Sequence, residues 1–124
     1  MDVFKTKDFA RFVRRERISD AALCVAVGRA ERGLVDADLG GGLIKQRVPR
    51  KGQGRSGGYR TLIAYRQAER AVFLHGFAKS AQDNISSQDE AALRAAARNL
   101  LDLDTRTVEV LVEAGSWKKV DCDG

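Results

Sequence analysis

The spacing of apolar residues near the N terminus predicts two helices in succession. Apolar side chains between residues 9 and 13 recur three or four positions apart, after Thr6, whose hydroxyl can cap the first turn of a helix. A second helix is predicted from Ser19, through a run of alanine, leucine and valine, to a stop at Gly33. We therefore expect a helical hairpin, preceded by a short extended piece at residues 3–5.

Three segments in the middle of the chain have the composition of strands. Residues 43–48, 59–66 and 71–79 are rich in Leu, Ile, Val, Phe and Tyr. A turn at residues 67–70 joins the last two into an antiparallel hairpin, whereas the glycines and cations of residues 49–58 predict a long, mobile loop. Because the later strands carry apolar residues on both faces, we expect helices on both sides of the sheet.

The remaining segments complete a prediction of an α+β fold. Residues 34–42 contain two aspartates and a triple glycine, which lacks the Lys-Ser/Thr ending of a P-loop and predicts a connecting loop. Ser86 and the acids after it predict an amphipathic helix. A short helix, or a strand, follows Asp102 or Asp104, and an edge strand is predicted at residues 117–120. We expect a small antiparallel sheet, mixed at its edge, packed by the helical hairpin and a C-terminal helix.

Composition and length limit the class of protein. The 124 residues, 44% of them hydrophobic, suit one domain with a proper core, and no linker or repeat divides residues 1–124. No apolar run reaches the roughly 18 residues of a membrane span, and no signal-peptide pattern opens the chain, so we expect a cytoplasmic protein. Cys24 and Cys122 lack the spacing of a metal or redox site and suit a reducing cytoplasm, as structural or incidental residues.

Positive charge is concentrated in residues 43–66, a stretch without a carboxylate. The whole chain has a formal net charge of +5, but its acidic residues lie in the segments that flank this stretch. The cations of the stretch are Lys45, Arg47, Arg50, Lys51, Arg55, Arg60 and Arg66. Because like charges repel one another without an anion nearby, a phosphate backbone is the expected partner.

The basic stretch predicts a groove for single-stranded RNA. Two strands and the loop between them place several cations and the ring of Tyr59 around one groove. Cations hold phosphates and a tyrosine stacks on an unpaired base, and both contacts tolerate many sequences. This pattern is more specific for binding than for catalysis.

Cleavage of RNA would require a base, a cation for the charge that develops on phosphate, and an acid for the leaving oxygen. His75 is the only histidine, and it lies in an apolar strand on the face that period-2 alternation assigns to Phe73 and Phe77. We expect it to be buried and structural. A lysine can act as base where neighbouring cations disfavour its protonated form, and Lys45 is the better candidate.

Two segments of the sequence resemble a known family. Gly-Gly-Leu-Ile-Lys-Gln-Arg-Val-Pro-Arg-Lys-Gly-Gln-Gly-Arg-Ser-Gly-Gly-Tyr-Arg-Thr-Leu-Ile-Ala-Tyr-Arg and Phe-Leu-His-Gly-Phe-Ala-Lys-Ser-Ala-Gln-Asp-Asn-Ile are similar to RelE/HigB-type toxins of bacterial toxin–antitoxin pairs, in the RelE/ParE superfamily. The resemblance covers nearly the whole chain, and Ser-Gly-Gly-Tyr-Arg is its most specific part. It implies a RelE-like domain that cuts messenger RNA in the ribosomal A site without metal or cofactor. It also implies a cognate antitoxin, of helix-turn-helix type and encoded next door.

The resemblance assigns roles residue by residue. Lys45 and Arg47 resemble the basic residues on the strand before the loop, and Arg60 resembles the phosphate-binding arginine. The predicted catalytic residues are Lys45, Arg47, Arg60 and Lys79, and the predicted RNA-binding residues are Arg50, Lys51, Arg55, Tyr59 and Arg66. The chain departs from the best-studied members where they carry a further arginine and a catalytic tyrosine, because it has Ser80, Gln82 and Ser86 there. The acid and base therefore stay open.

Two other functions remain as alternatives to the ribosome-dependent nuclease. The same superfamily contains toxins that poison DNA gyrase, and a basic groove also fits a nucleic-acid-binding module without catalysis. The basic loop favours RNA. Cleaved messages on ribosomes, gyrase-linked DNA breaks, or binding without growth arrest would separate the three.

Overall fold

A mixed sheet with helices on both faces forms the framework of the protein. The computed structural model describes residues 1–50, 57–82 and 84–122. Its strands are β1 Asp2–Thr6, β2 Ala37–Gly40, β3 Leu43–Val48, β4 Tyr59–Arg66, β5 Arg70–Ala78 and β6 Trp117–Lys119. Its helices are α1 Lys7–Glu16, α2 Asp20–Glu31, α3 Ser87–Leu101 and α4 Thr105–Glu113. Among the described residues, the strand order in the sheet is β2-β3-β4-β5-β1-β6.

The strand pairing confirms the predicted α+β fold. Strands β3, β4 and β5 pair antiparallel in chain order. Strand β1 joins the other side of β5 in parallel, from Asp2 opposite Arg70 to Lys5 opposite Phe73, and β6 pairs antiparallel with β1. The parallel pair lies one strand inside the sheet rather than at its edge.

The helix boundaries follow the capping residues of the sequence. Thr6, Ser19 and Ser86 each accept a hydrogen bond from the backbone amide three residues later, at α1, α2 and α3. Asp104 caps α4 in the same way, so the segment that the sequence left open between helix and strand is a helix. These caps satisfy amides that no helical carbonyl can reach.

The predicted loop at residues 34–42 was wrong in part, because it contains β2. Ala37 and Asp38 pair with Lys45 and Ile44 of β3, and the chain turns back through the glycines that precede Leu43. Gly40, Gly41 and Gly42 all have positive φ, which is why glycine occupies this turn. Strand β2 lies at the edge of the sheet, where half of its residues are exposed, so an apolar pattern does not reveal it.

Each face of the sheet has its own apolar core. Helices α1 and α2 cover one face, where the largest buried side chains include Phe9, Leu23, Ile63 and Phe73. Helices α3 and α4 cover the other face, where Leu43, Leu62, Ala64, Val72, Leu101 and Trp117 are buried. The expectation of helices on both sides is confirmed. We call these the α1/α2 face and the α3/α4 face.

A disulfide joins Cys24 of α2 to Cys122 in the C-terminal segment, across 98 residues. The sequence did not indicate this pairing, and the disulfide makes both cysteines structural, which was one of the two expected roles. Distance along the chain gives no measure of distance in the fold: the Asp20 carboxylate binds the Asp121 amide at 3.0 Å, and the Val120 amide binds the Val3 carbonyl. These contacts hold the tail beside α2.

A helix that crosses a bilayer must be both long and apolar. The helices of the described residues do not meet this requirement.

Candidate functional site

The strand register brings three predicted catalytic cations together on the α3/α4 face. Arg47 of β3 lies directly opposite Arg60 of β4, and Lys45 lies opposite Leu62. Side chains alternate along a strand, so all three cations point to the face on which Leu62 is buried. Lys79 follows two positions after Phe77, the β5 partner of Arg60. We call Lys45, Arg47, Arg60 and Lys79 the cationic cluster.

The guanidinium of Arg60 has a feature that indicates a binding site, namely a buried nitrogen for which the described residues provide no partner. Its Nη1 atom is buried and has no hydrogen-bond partner among the residues that the structure describes. A buried donor left unpaired costs about 1–3 kcal/mol, more when it is charged, and native proteins retain few of them. An anion placed at this nitrogen would remove that cost.

Lys45 is held in place by an uncharged amide. Its Nζ atom lies 3.3 Å from Oδ1 of Asn84, in the connection between β5 and α3. The same oxygen accepts a hydrogen bond from the Ile85 amide, and the Asn84 carbonyl accepts one from Gln82. The amide of Asn84 therefore positions the lysine, and the described residues give Lys45 no carboxylate partner.

Arg47 lies beside a carboxylate that is already occupied. Asp36 accepts hydrogen bonds of 2.7 Å from the Arg29 side chain and from the backbone amide of Arg47. Burial acts to raise the pKa of Asp36, but these hydrogen bonds and the charges of Arg29 and Arg47 lower it overall. Within the described residues, the Arg47 guanidinium forms no salt bridge, so it retains donors for an external anion.

His75 does not lie where the sequence predicted it. The β4–β5 register shifts: Ile63 pairs with Phe73 and Leu62 with His75, which leaves Leu74 as an extra residue. This β-bulge breaks the period-2 alternation, so Phe73 enters the α1/α2 core while His75 is exposed on the α3/α4 face. The prediction of a buried histidine beside Phe73 was wrong, although Phe77 does share its face.

One residue of the sequence carried a signal that His75 faces the cationic cluster. A Cβ built on Gly76 would lie 2.5 Å from the ring of Phe12, so α1 approaches the sheet too closely for any side chain there. A glycine within a strand often marks such an approach. The neighbours of Gly76 must then point away from α1, toward the other face of the sheet.

Tyr59 belongs to the core of the α1/α2 face and not to the cationic cluster. Its ring is 3% exposed and meets the ring of Phe12 edge-on, with centroids 5.7 Å apart. Burial raises the pKa of Tyr59, and a hydrogen bond with Glu16 adds to the shift. The guanidinium of Arg50 lies 5.6 Å from the ring centroid. In this structure the ring is not free to stack on a base.

Arg66 lies at the opposite end of β4 from Arg60. Its guanidinium donates to the Leu101 carbonyl at 3.0 Å and to the Asp102 carboxylate at 2.9 Å, so it joins the sheet to the end of α3. Of the loop cations, Arg50 is exposed at the loop's base. Lys51, Arg55 and most of the predicted mobile loop lie outside the described residues.

The three residues that stand where better-studied members carry other groups supply contacts and caps in the described part of the segment after β5. Ser86 caps α3, Gln82 binds the Asn84 carbonyl, and Ser80 is exposed. Across the described residues, no three His, Cys, Asp or Glu side chains come together as a metal site would require. His75 is therefore the group that reasoning from the sequence missed on this face.

The chain matches the model of a known protein family. The family model described as the RelE toxin of the RelE / RelB toxin–antitoxin system matches residues 1–120, from before β1 to the end of the described sheet. No curated protein matches the chain significantly.

Proposed function

Because the chain belongs to the RelE toxin family, we propose that it arrests growth by cutting messenger RNA on the ribosome. Membership makes the protein the toxin of a toxin–antitoxin system and gives it an antitoxin partner. RelE toxins are in general endoribonucleases. Ribosome dependence and the site of action in the cytoplasm are part of the proposal.

The single observation that supports cleavage best is the unpaired, buried nitrogen of Arg60 within a cluster of cations. When a 2′-hydroxyl attacks the adjacent phosphate, negative charge grows on the non-bridging oxygens. Donors that are already in place stabilise that charge more than water does, because they need no reorganisation. Arg60 has such a donor, and the opposite residue, Arg47, can hold the same phosphate.

The proposal gives each of the other cations its own role, from proton transfer to binding of the RNA backbone. Lys45 is the candidate base for the 2′-hydroxyl, since it lies on the same face as Arg60 and is positioned by Asn84. Lys79 contacts a neighbouring phosphate. The RNA backbone beyond the cleaved bond is held by cations of the loop, namely Arg50, Lys51 and Arg55. No metal ion or cofactor takes part.

Purified protein should cut a defined message on programmed ribosomes and leave a 5′-hydroxyl and a 2′,3′-cyclic phosphate. Lys45→Ala should reduce the rate by about 100-fold or more, as expected for loss of a general base. Arg98→Ala is the matched control, because it removes one exposed cation from α3 and should retain the rate. Treating the toxin alone with EDTA, and removing the chelator before the toxin is added to ribosomes in magnesium buffer, tests whether it needs a bound metal of its own.

The alternative functions have their own readouts in the same set of assays. DNA breaks that depend on gyrase, with intact messages, would identify a gyrase-directed toxin and reject the nuclease. Binding of RNA without cleavage or growth arrest would identify a binding module.

The proposal extends to the antitoxin. We expect a helix-turn-helix protein encoded next door that covers the cationic cluster. Charge supports this, because covering these cations with carboxylates blocks phosphate from the same donors. Co-expression with the neighbouring gene should restore growth, and a complex that still cleaves messages would contradict this mode of inhibition.

A further inference from the structure

We propose that His75 is the general acid of this nuclease, the group that protonates the 5′-oxygen as it leaves. The inference rests on the proposed function and names a residue for the step that the resemblance left open. It is carried by the position of His75 on the sheet, which the bulge at Leu74 sets.

His75 and Lys45 flank one point on the sheet from opposite sides. Leu62 of β4 pairs with Lys45 on one side and with His75 on the other, so the three residues form a row across β3, β4 and β5. Neighbouring strands lie about 4.8 Å apart, which places the Cα atoms of Lys45 and His75 about 10 Å from each other. Arg60 lies two positions before Leu62 on β4 and points to the same face.

This row matches the geometry of the reaction. In an in-line displacement at phosphorus, the attacking 2′-oxygen and the leaving 5′-oxygen lie on opposite sides of the phosphorus atom. Leu62 itself is fully buried, so the phosphate would lie at Arg60, beside this row, with one oxygen toward β3 and the other toward β5. The base and the acid must therefore come from different sides, as Lys45 and His75 do.

The surroundings of His75 leave room for a leaving nucleotide. The imidazole is exposed, and it borders a cavity of about 330 Å³ lined by Asp89, Ala92 and Leu93 of α3. Its ring centroid lies 6.1 Å from that of Phe77. Histidine exchanges a proton readily near neutral pH, whereas a guanidinium holds its protons too tightly to donate them. Among the described residues that line this cavity, Asp89 is the other titratable group, and it serves as the competing candidate.

The proposed step conserves atoms and charge. The 2′-oxygen forms a bond to phosphorus as Lys45 takes its proton, and the bond from phosphorus to the 5′-oxygen breaks. His75 gives its proton to that oxygen, so the products are a 2′,3′-cyclic phosphate and a free 5′-hydroxyl. Return of the protons through water restores both side chains.

The test compares two messages on programmed ribosomes: one with the natural 5′-oxygen at the cleaved bond, and one with sulfur in its place. A thiolate leaves without protonation, so a missing acid does not slow cleavage of the sulfur message. We expect His75→Gln to cut the natural message at least about 100-fold more slowly than wild type, and the sulfur message at nearly the wild-type rate. Asp89→Asn should keep the wild-type ratio of the two rates, because His75 still protonates the leaving oxygen.

The possible outcomes separate this inference from the proposed function. Equal losses on both messages, or no loss on either, would overturn the role of His75 while leaving the nuclease intact. A selective loss in Asp89→Asn would transfer the role to Asp89. If wild type cuts neither message, the nuclease itself is rejected and the inference falls with it. A second readout is chemical rescue of His75→Ala. Added imidazole should restore cleavage of the natural message and have no effect on the sulfur message, and the melting temperature of the variant should equal that of wild type.

Discussion

Arg60 and Arg66 lie near opposite ends of the same strand and point to the same face of the sheet. Arg66 donates to the last carbonyl of α3 and to the Asp102 carboxylate, and Arg70 beside it donates to the carbonyls of Leu100 and Leu101. Arg60 has a buried nitrogen with no partner in the described part of the chain. The two residues are both arginines on one face of one strand. They differ in their hydrogen-bond partners, and this difference separates a structural arginine from a candidate binding residue.

The orientation of α3 explains this difference in part. The C terminus of α3 meets Arg66, and the C-terminal end of a helix carries partial negative charge that favours cations. The first turns of α3 line the cavity beside His75, and an N-terminal end carries partial positive charge. One helix thus satisfies the cations at one end of the sheet, whereas at its other end the carboxylates of Asp89 and Glu90 offset the partial positive charge of its first turn.

The largest expected effect is on cleavage in Arg60→Ala. Removing a donor that acts on the developing charge should lower the rate by 10²- to 10³-fold, or about 3–4 kcal/mol in activation free energy. The melting temperature should not fall, because the variant also removes an unsatisfied buried nitrogen. Single-turnover cleavage and thermal unfolding of the same preparation measure both. Retained cleavage at equal protein concentration would make Arg60 equivalent to Arg66.

The next largest effect should appear in stability alone. Cys24→Ser removes a bond that closes a loop across 98 residues, and loss of such a disulfide costs about 2–4 kcal/mol. Urea unfolding of the variant measures the cost, and Cys122→Ser should give the same value. Cleavage per folded molecule should stay normal, which separates scaffold stability from the chemistry at Arg60. A variant as stable as wild type would mean that the bond is absent in solution.

Arg66→Ala should have the opposite effect to Arg60→Ala: it should lower stability and leave cleavage unchanged, and the change should be smaller. Its side chain is 41% exposed, and its contacts are a carbonyl and a partly exposed carboxylate, so we expect a loss of about 1 kcal/mol in unfolding free energy. Cleavage by the folded protein should be unchanged. A loss of cleavage without a loss of stability would return Arg66 to the RNA-binding residues that the sequence predicted.

The smallest expected effect is on the pH dependence of stability. It concerns the ion pair between Arg29 and Asp36, which lies beside Arg47. The pKa of Asp36 is lowered in the folded protein, so its contribution to stability is present above the pKa of the unfolded chain and is lost as pH falls through the folded value. Asp36→Asn should therefore flatten the acid limb of a stability curve below about pH 4 by at most about 1 kcal/mol. A curve parallel to that of wild type would mean that Arg29 gains nothing from Asp36.

The sequence predicts those parts of the fold that short-range chemistry determines. The caps at Thr6, Ser19 and Ser86 and the bounds of β3 and β4 agree with the structure, because each depends on residues a few positions apart. Grouping of Lys45 and Arg47 with Arg60 followed from the strand pattern and the family resemblance.

Features that depend on tertiary contacts did not follow from the sequence. An extra residue at Leu74 reverses the face of every later side chain on β5, and the one local sign of it, Gly76, is explained only by the close approach of α1. A tyrosine suits both a protein core and an RNA-binding surface. For Tyr59 the contact with Phe12 shows that the ring lies in the core, and this contact does not follow from the local sequence. The pairing of Cys24 with Cys122 depends on how the tail crosses α2.

The position of β1 has a consequence for the order in which the chain can fold during synthesis. β1 lies between β5 and β6, so its two neighbours are made from residues 70–73 and 117–119. The first strand to leave the ribosome must wait for most of the chain before it gains one neighbour, and for nearly all of it before it gains the second. A nascent chain can assemble β3, β4 and β5 from adjacent hairpins much earlier. In this toxin, the strand made first is completed last.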